Sequence, residues 1–300
     1  MRRLLFLITV FFLVSSAGFA RSIKIADSCL HVLNTKQGLS YPERCELLLS
    51  TIHNLDYNDS FISLCNLLIK EAAKCDSYYH LFYGYYEKGQ YLILSEGKTQ
   101  EGLALIFKSL DIAKANLLTL EEGLAYYRIS GEFSRLKNYP KALDYLNQAT
   151  DAFSEVGSPI YLALAKLELA NIHYDLKDYE KALVLYKEAE QFYASSNNHP
   201  TLAYIYGNIG SIQSLKHSPD SARQNLLHAI SILEETKDPQ STITYHLELS
   251  QNELLCSDYN LALVYAQKAY QTAEAFNNPQ RKRDAFEQLA KVYEAMGDYQ

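Results

Sequence analysis

The feature that most constrains this chain is a set of small residues spaced forty apart. Ser130, Ala170, Gly210, Ser250 and Ala290 form one ladder, Gly102, Ala142, Ala182, Ala222 and Ala262 a second, and Ser109, Ala149, Ala189, Ala229 and Ala269 a third. Self-similarity at one fixed period is the signature of a stacked repeat, in which each unit buries its apolar face against the next. Small residues recur where helices cross at short distance, because a larger side chain would keep the ridges of one helix out of the grooves of the other. Ala170 is therefore expected where the first helix of a unit meets the second, and Ala182 and Ala189 where the second meets its neighbours. Ile129, Leu169, Ile209, Leu249 and Leu289 directly precede the first small position and fill the space between. An aromatic precedes the second helix at Tyr139, Tyr179, Tyr259 and Tyr299, with Pro219 the one departure. Pro159, Pro200, Pro239 and Pro279 end the loops between hairpins, where proline cannot prolong the preceding helix.

Three stretches carry a family resemblance. LELANIHYDLKDYEKALVLYKEA (Leu167 to Ala189) resembles the tetratricopeptide repeat, YGNIGSI (Tyr206 to Ile212) is similar to its first-helix core, and LAKVYEAMGDY (Leu289 to Tyr299) to the start of another copy. The likeness runs from Tyr78 to Gln300, with Tyr41 to Asp76 as a degenerate copy. The period of forty exceeds the family's usual unit of about thirty-four, as in the arrays of bacterial signalling proteins. The resemblance implies an all-α fold, a right-handed α-solenoid of antiparallel helix hairpins. Units fall near 80–119, 120–159, 160–200, 201–239 and 240–279, with 280–300 incomplete. The last helix, about 280–296, would then lack the partner that covers Phe286, Leu289, Ala290 and Tyr293, and the reading frame is expected to continue.

Residues 1–20 read as an export signal: Arg2 and Arg3, an apolar run from Leu4 to Val14, then Gly18, Phe19 and Ala20 before a cleavage point at Arg21. The run is shorter than the roughly twenty residues that span a bilayer; a retained anchor is the alternative to cleavage. Residues 21–76 form an N-terminal helical cap, with short helices at Ser28 to Asn34 and Glu43 to Leu55 around Gly38 and Pro42. Export places the protein in the periplasm or cell envelope.

Without the signal, 26 Lys and Arg face 35 Asp and Glu, so the net charge moves from −7 to −9. An acidic array is a poor partner for a phosphate backbone, and Arg281-Lys282-Arg283 reads as a solvated helix face. Five cysteines (Cys29, Cys45, Cys65, Cys75 and Cys256) cannot all pair, and small buried thiols are the expectation. A Cys65–Cys75 bridge would have to span about 15 Å along one helix. Phosphate loops, zinc-protease motifs and nucleophile elbows are missing, so a non-enzymatic protein without cofactor is expected.

In the run SYYHLFYGYYEKGQY, Ser77 to Tyr91, helical spacing assigns Tyr78, Phe82, Tyr85 and Tyr86 to the core. Some of Tyr79, Tyr83, Tyr86 and Tyr91 are candidates for a recognition surface, tyrosine being a low-entropy anchor. In the tetratricopeptide family the first helices line a groove that holds extended or helical protein segments. The matching positions here are Tyr127, Gly131 and Arg135, then Leu167, Asn171 and Tyr174, then Gly207, Ser211 and Ser214, then Leu247, Gln251 and Leu254. The set lacks the Lys/Asn/Arg combination with which some relatives grip a C-terminal carboxylate. Two functions remain open: the sensory portion of an exported signalling protein that binds a peptide or protein segment, or an envelope assembly or carbohydrate-uptake accessory. The absence of Trp counts against sugar binding.

Overall fold

A computed structural model describes residues 16–35, 38–196 and 198–297. Two compact units divide the chain, Met1–Gly157 and Ser158–Gln300, and both are built of helices, with no strand among the described residues. The first holds α1 (Ser16–Thr35), α2 (Tyr41–Ile52), α3 (Asp59–Lys74), α4 (Tyr78–Leu94), α5 (Thr99–Ala115), α6 (Thr119–Arg135) and α7 (Tyr139–Glu155). The second holds α8 (Pro159–Asp175), α9 (Tyr179–Tyr193), α10 (His199–Leu215), α11 (Pro219–Glu235), α12 (Thr242–Leu255), α13 (Tyr259–Ala275) and α14 (Pro279–Met296).

Local chemistry explains the boundaries. Second helices begin at Tyr139, Tyr179, Pro219 and Tyr259, so the residue expected just before each of them is its first. Side chains of Asn138, Asp178, Asn198, Asp258 and Asn278 accept from the backbone N–H three residues on, satisfying a donor the helix start leaves free. Helices end in left-handed residues at twenty-residue steps: Gly97, Leu117, Lys137 and Gly157 in the first unit, and Lys177, His217, Lys237, Ser257, Asn277 and Gly297 in the second. There the chain reverses while its N–H groups return to the last carbonyls, as Lys177 does to Tyr174 at 2.9 Å and Asp178 to His173 at 2.9 Å.

The ladders are the helix crossings. Ser109, Ser130, Ala142, Ala149, Ala170, Ala182, Ala189, Ala222, Ala229, Ser250, Ala262 and Ala269 are all fully buried. A Cβ on Gly210 would lie 2.8 Å from Leu226 Cγ and 3.2 Å from the Ala222 carbonyl, so α10 and α11 touch almost backbone to backbone. Ser250 makes the same crossing in the next hairpin, donating to the Ala262 carbonyl at 2.8 Å. Ala290 departs: it is exposed, as are Phe286 and Tyr293 on the same helix. Ala182→Leu is expected to overpack its crossing at a cost of about 1–3 kcal/mol. Glu188→Gln, at an exposed site paired with Lys166 at 2.8 Å, should cost no more than about 0.5 kcal/mol. Equal losses of melting temperature in the two variants would contradict the placement of Ala182.

The N-terminal region and the aromatic run need correction. Helix α1 is longer than the expected Ser28 to Asn34, and α2 ends at Ile52 rather than Leu55. Of the export segment, residues 1–15 lie outside the described residues, and 16–20 begin α1. Among the described residues no helix is long and apolar enough to cross a membrane. In α4, Tyr83, Tyr86 and Tyr91 are buried, whereas Tyr78 and Tyr79 are exposed. Helix α4 packs against α2, α3 and α5, so more than one of its faces is covered. Phe82 stacks on Tyr86 at 5.3 Å and Phe61 on Tyr91 at 5.4 Å. Cys29, Cys45 and Cys65 are buried, Cys75 is half-buried, and Cys256 is exposed; all five are free thiols. Burial pushes the Cys45 thiol up to about 12, which keeps it unreactive.

Candidate functional site

In the second unit the first helices α8, α10 and α12 repeat a polar face at the forty-residue step. Glu168, Asn208 and Glu248 form one row, and Asn171, Ser211 and Gln251 the row one turn further on. The Asn171 amide oxygen accepts from the Tyr186 hydroxyl of α9 at 2.7 Å and from the Tyr204 hydroxyl of α10 at 3.1 Å. Its amide nitrogen donates to Glu168 at 3.3 Å. Asn208 donates to the Tyr186 hydroxyl at 2.9 Å, so this phenol joins three helices while only 1% exposed. The Ser211 hydroxyl lies within hydrogen-bonding reach of both Glu248 and the Gly207 carbonyl. Gly207 gives up its side chain to Tyr245, whose ring occupies the place a Cβ would need.

The hydrogen-bonded network outlines the candidate recess of α8, α10 and α12. Tyr204 is 41% exposed, yet burial pushes its hydroxyl pKa up. Burial also raises Tyr174, with the Glu248 charge adding to it, and raises Tyr245, again with help from Glu248. Glu248 itself is half-buried. Desolvation lifts its carboxyl to about 7, against an opposing hydrogen bond from Ser211. Among the described residues no lysine, arginine or histidine is placed to pair with it. The result is a half-buried carboxyl bonded to Ser211, beside a network of two tyrosines and two asparagines. Among the described residues no group of three or more His, Cys, Asp and Glu is placed to hold a metal ion.

Only some of the expected groove residues meet here. Asn171, Tyr174 and Ser211 belong to the recess. Leu167 is buried in the core with Ala163, Ala170, Tyr186 and Ile209, and Leu247 packs against the cluster of Ile243, Ala269, Ala273 and Ala285. Both leucines are structural, because that face of the first helix is covered by its neighbours. Gly207 is likewise covered, by Tyr245. Ser214 and Leu254 are half-buried and Gln251 is exposed. Tyr127, Gly131 and Arg135 lie on α6 of the first unit, where Arg135 pairs with Glu132 at 3.0 Å and donates to Thr99 at 3.1 Å. The residues missed were Glu168, Tyr186, Tyr204, Asn208, Tyr245 and Glu248. For Glu168, Asn208 and Glu248 the signal was available, since they step by forty one helical turn before Asn171.

The comparisons agree with the fold. Residues 161–235 match the model of the tetratricopeptide repeat family. A curated relative, response regulator aspartate phosphatase I of Bacillus subtilis, is 25% identical over 192 residues, 62% of this chain and 48% of the relative. The chain thus spans about half the length of that relative. A STAND signal transduction ATPase with a tetratricopeptide repeat sensor, from Pyrococcus horikoshii, is similar with a TM-score of 0.68 and 18% identity, over 90% of this chain and 44% of that one. NprR in complex with its cognate peptide NprX is similar with a TM-score of 0.56 and 17% identity, over 95% of this chain and 83% of that one. Residues 161–235 are therefore tetratricopeptide repeats, and the fold around them is the all-α solenoid of helix hairpins on which those repeats are built.

Proposed function

We propose that the second unit is a binding module for a peptide or protein segment, and that the recess of α8, α10 and α12 is where the segment sits. The observation that carries this is the partly exposed Tyr204 beside an Asn171–Tyr186–Asn208 network already held in place. Rigid tyrosines and fixed amides lose little entropy on binding and offer both apolar and polar contact. NprR, of similar fold, is a protein with a cognate peptide, which supports the reading. The protein acts as an interaction scaffold rather than an enzyme, in the manner of the sensory portion of a signalling protein. On the pattern of residues 1–20 it is exported and works in the periplasm or envelope. Fractionation of tagged protein tests that, and recovery in the cytoplasm would overturn it.

The binding itself is tested with a randomised hexapeptide library, incubated with the full chain and read by mass spectrometry of the retained peptides. Tyr204→Ala with Asn208→Ala is expected to reduce retention about thirtyfold, the loss of a central anchor. Glu188→Gln should leave it unchanged. Equal retention by wild type and the double variant, both with wild-type helix content by circular dichroism, would remove the recess from consideration.

A further inference from the structure

We propose that Cys45 and Cys75 join in a disulfide when the protein meets a disulfide oxidant, fastening the end of α3 to α2. The inference concerns the first unit and stands apart from the peptide reading. Helices α2 and α3 pack against each other, and two contacts fix how they face. The Arg44 guanidinium meets Glu71 at 2.7 Å, and the Lys74 ammonium lies 4.9 Å from the centre of the Tyr41 ring. Tyr41, Arg44 and Cys45 share one face of α2, being spaced i, i+3 and i+4, and Glu71, Lys74 and Cys75 repeat that spacing on α3. Two members of each triplet are therefore in contact across the hairpin, and a cysteine is the third of each. Cys45 is wholly buried in the first unit. The Cys75 thiol turns back over the last turn of α3, donating to the carbonyls of Glu71 and Ala72 at 3.6 Å, which keeps it on the side of Glu71.

The spacing suits the bond. Helices packed at about 8–10 Å hold facing Cα atoms about 4–6 Å apart, the span that a disulfide bridges. The state of Cys45 agrees with a thiol next to it: burial is the first reason its pKa stands at about 12, and the Cys75 thiol is the second. The other cysteines are placed less well. Cys65 lies about 15 Å along α3 from Cys75, Cys29 is buried on α1, and Cys256 belongs to the second unit. Half-buried Cys75 is the thiol of the pair that a reagent reaches. Having given its proton to the buffer, its sulfur attacks one sulfur of oxidised glutathione. That S–S bond breaks, and the other half leaves as a thiolate that takes up a proton. Cys45 then attacks the Cys75 sulfur, and the second glutathione departs with the Cys45 proton. The two thiols of the protein lose two hydrogens and two electrons, and one glutathione disulfide becomes two thiols. A buried, protonated thiol is a poor nucleophile toward a reagent in solution, but held against the mixed disulfide it reacts at high effective concentration. The bond closes the loop from residue 45 to residue 75 and so restricts the unfolded chain.

The test uses the full chain, reduced, freed of reductant and incubated with oxidised glutathione at pH 8, then alkylated and digested with trypsin. Cleavage leaves Cys45 and Cys65 in one peptide, residues 45–70, and Cys75 in another, residues 75–88, so variants assign the bond. The two peptides should appear joined, at a mass about 2 Da below their sum, in the wild type, Cys65→Ala and Cys256→Ala. The joined pair should be missing from Cys45→Ala and Cys75→Ala. Amide exchange across α2 and α3 should be about tenfold slower in the oxidised wild type than in the reduced one. The oxidant should leave exchange unchanged in Cys75→Ala, a substitution at a half-buried helix end that spares the core. A joined pair that persists in Cys45→Ala would overturn the inference. So would a product that stops at glutathione on Cys75, thiols that stay unreacted throughout, or a Cys45–Cys75 bond that leaves exchange unaltered.

Discussion

Tyr186→Ala is expected to destabilise the second unit by about 3–5 kcal/mol, as truncation of a large buried aromatic does. Tyr186 is 1% exposed and lies in the core cluster with Ala170, Ala182, Ala189 and Ile209, so no neighbour can collapse into the space without moving a helix crossing. Its hydroxyl adds a smaller share. Tyr186→Phe should cost about 1 kcal/mol, because Asn208 loses its acceptor and Asn171 one of its two donors. Urea unfolding followed by circular dichroism measures both. A loss below about 1 kcal/mol for the alanine variant would mean that the ring fills no essential space. The pair of variants also separates the two roles of this residue, since phenylalanine keeps the packing and removes only the polar link between core and recess.

Glu248→Gln is expected to stabilise the protein at pH 8 by an amount on the order of 2 kcal/mol. The carboxyl is raised in the fold from its ordinary 4.5 to about 7, so the folded state favours the protonated form. Below about pH 4.5 the group is neutral folded and unfolded, and it costs nothing. As pH rises from 4.5 to 7 the unfolded chain ionises freely while the fold resists, and stability is lost across that window. Glutamine keeps the shape and a partner for Ser211 without the charge, so the difference between variant and wild type should be near zero at pH 4 and greatest above pH 7. Thermal unfolding between pH 4 and pH 8 checks it; a difference independent of pH would assign the effect to packing.

The helices and their crossings were legible because both follow from local rules. Close approach demands Gly, Ala or Ser, and Ala170, Ala182 and Ala189 repeat that demand at fixed spacing. The turns were legible for the same reason, down to Pro219 standing where other units have Tyr. The recess was read only in part. Carrying the family's groove positions onto this chain selected Leu167 and Leu247, which face the core, whereas Glu168 and Glu248, one position on and about 100° around the helix, border the recess. Tyr186 was invisible to that reasoning because it arrives from a second helix. The raised carboxyl of Glu248 depends on its burial and on Ser211 of another helix, and no single window of sequence displays that meeting. In the aromatic run, helical spacing gave the wrong side for Tyr78, because α4 is enclosed by neighbours on more than one face.

The left-handed residues that close the helices at twenty-residue steps also govern how such a chain is free to lengthen or shorten. A block of forty residues, cut at one of these turns and rejoined at the next but one, is a whole hairpin whose edges match those of any other hairpin. Its gain or loss leaves every helix in phase, whereas one residue inserted within a helix rotates all that follows by about 100°. The turn before α5 shows where a single addition is harmless: with Ser95 to Lys98 it is one residue longer than the turn from Leu136 to Asn138, and Gly89 meets Gly102 one position out of register with Ser250 and Ala262. Descent by duplication can thus change the reach of the array in whole hairpins, while α8, α10 and α12, which share one recess, can only be inherited together.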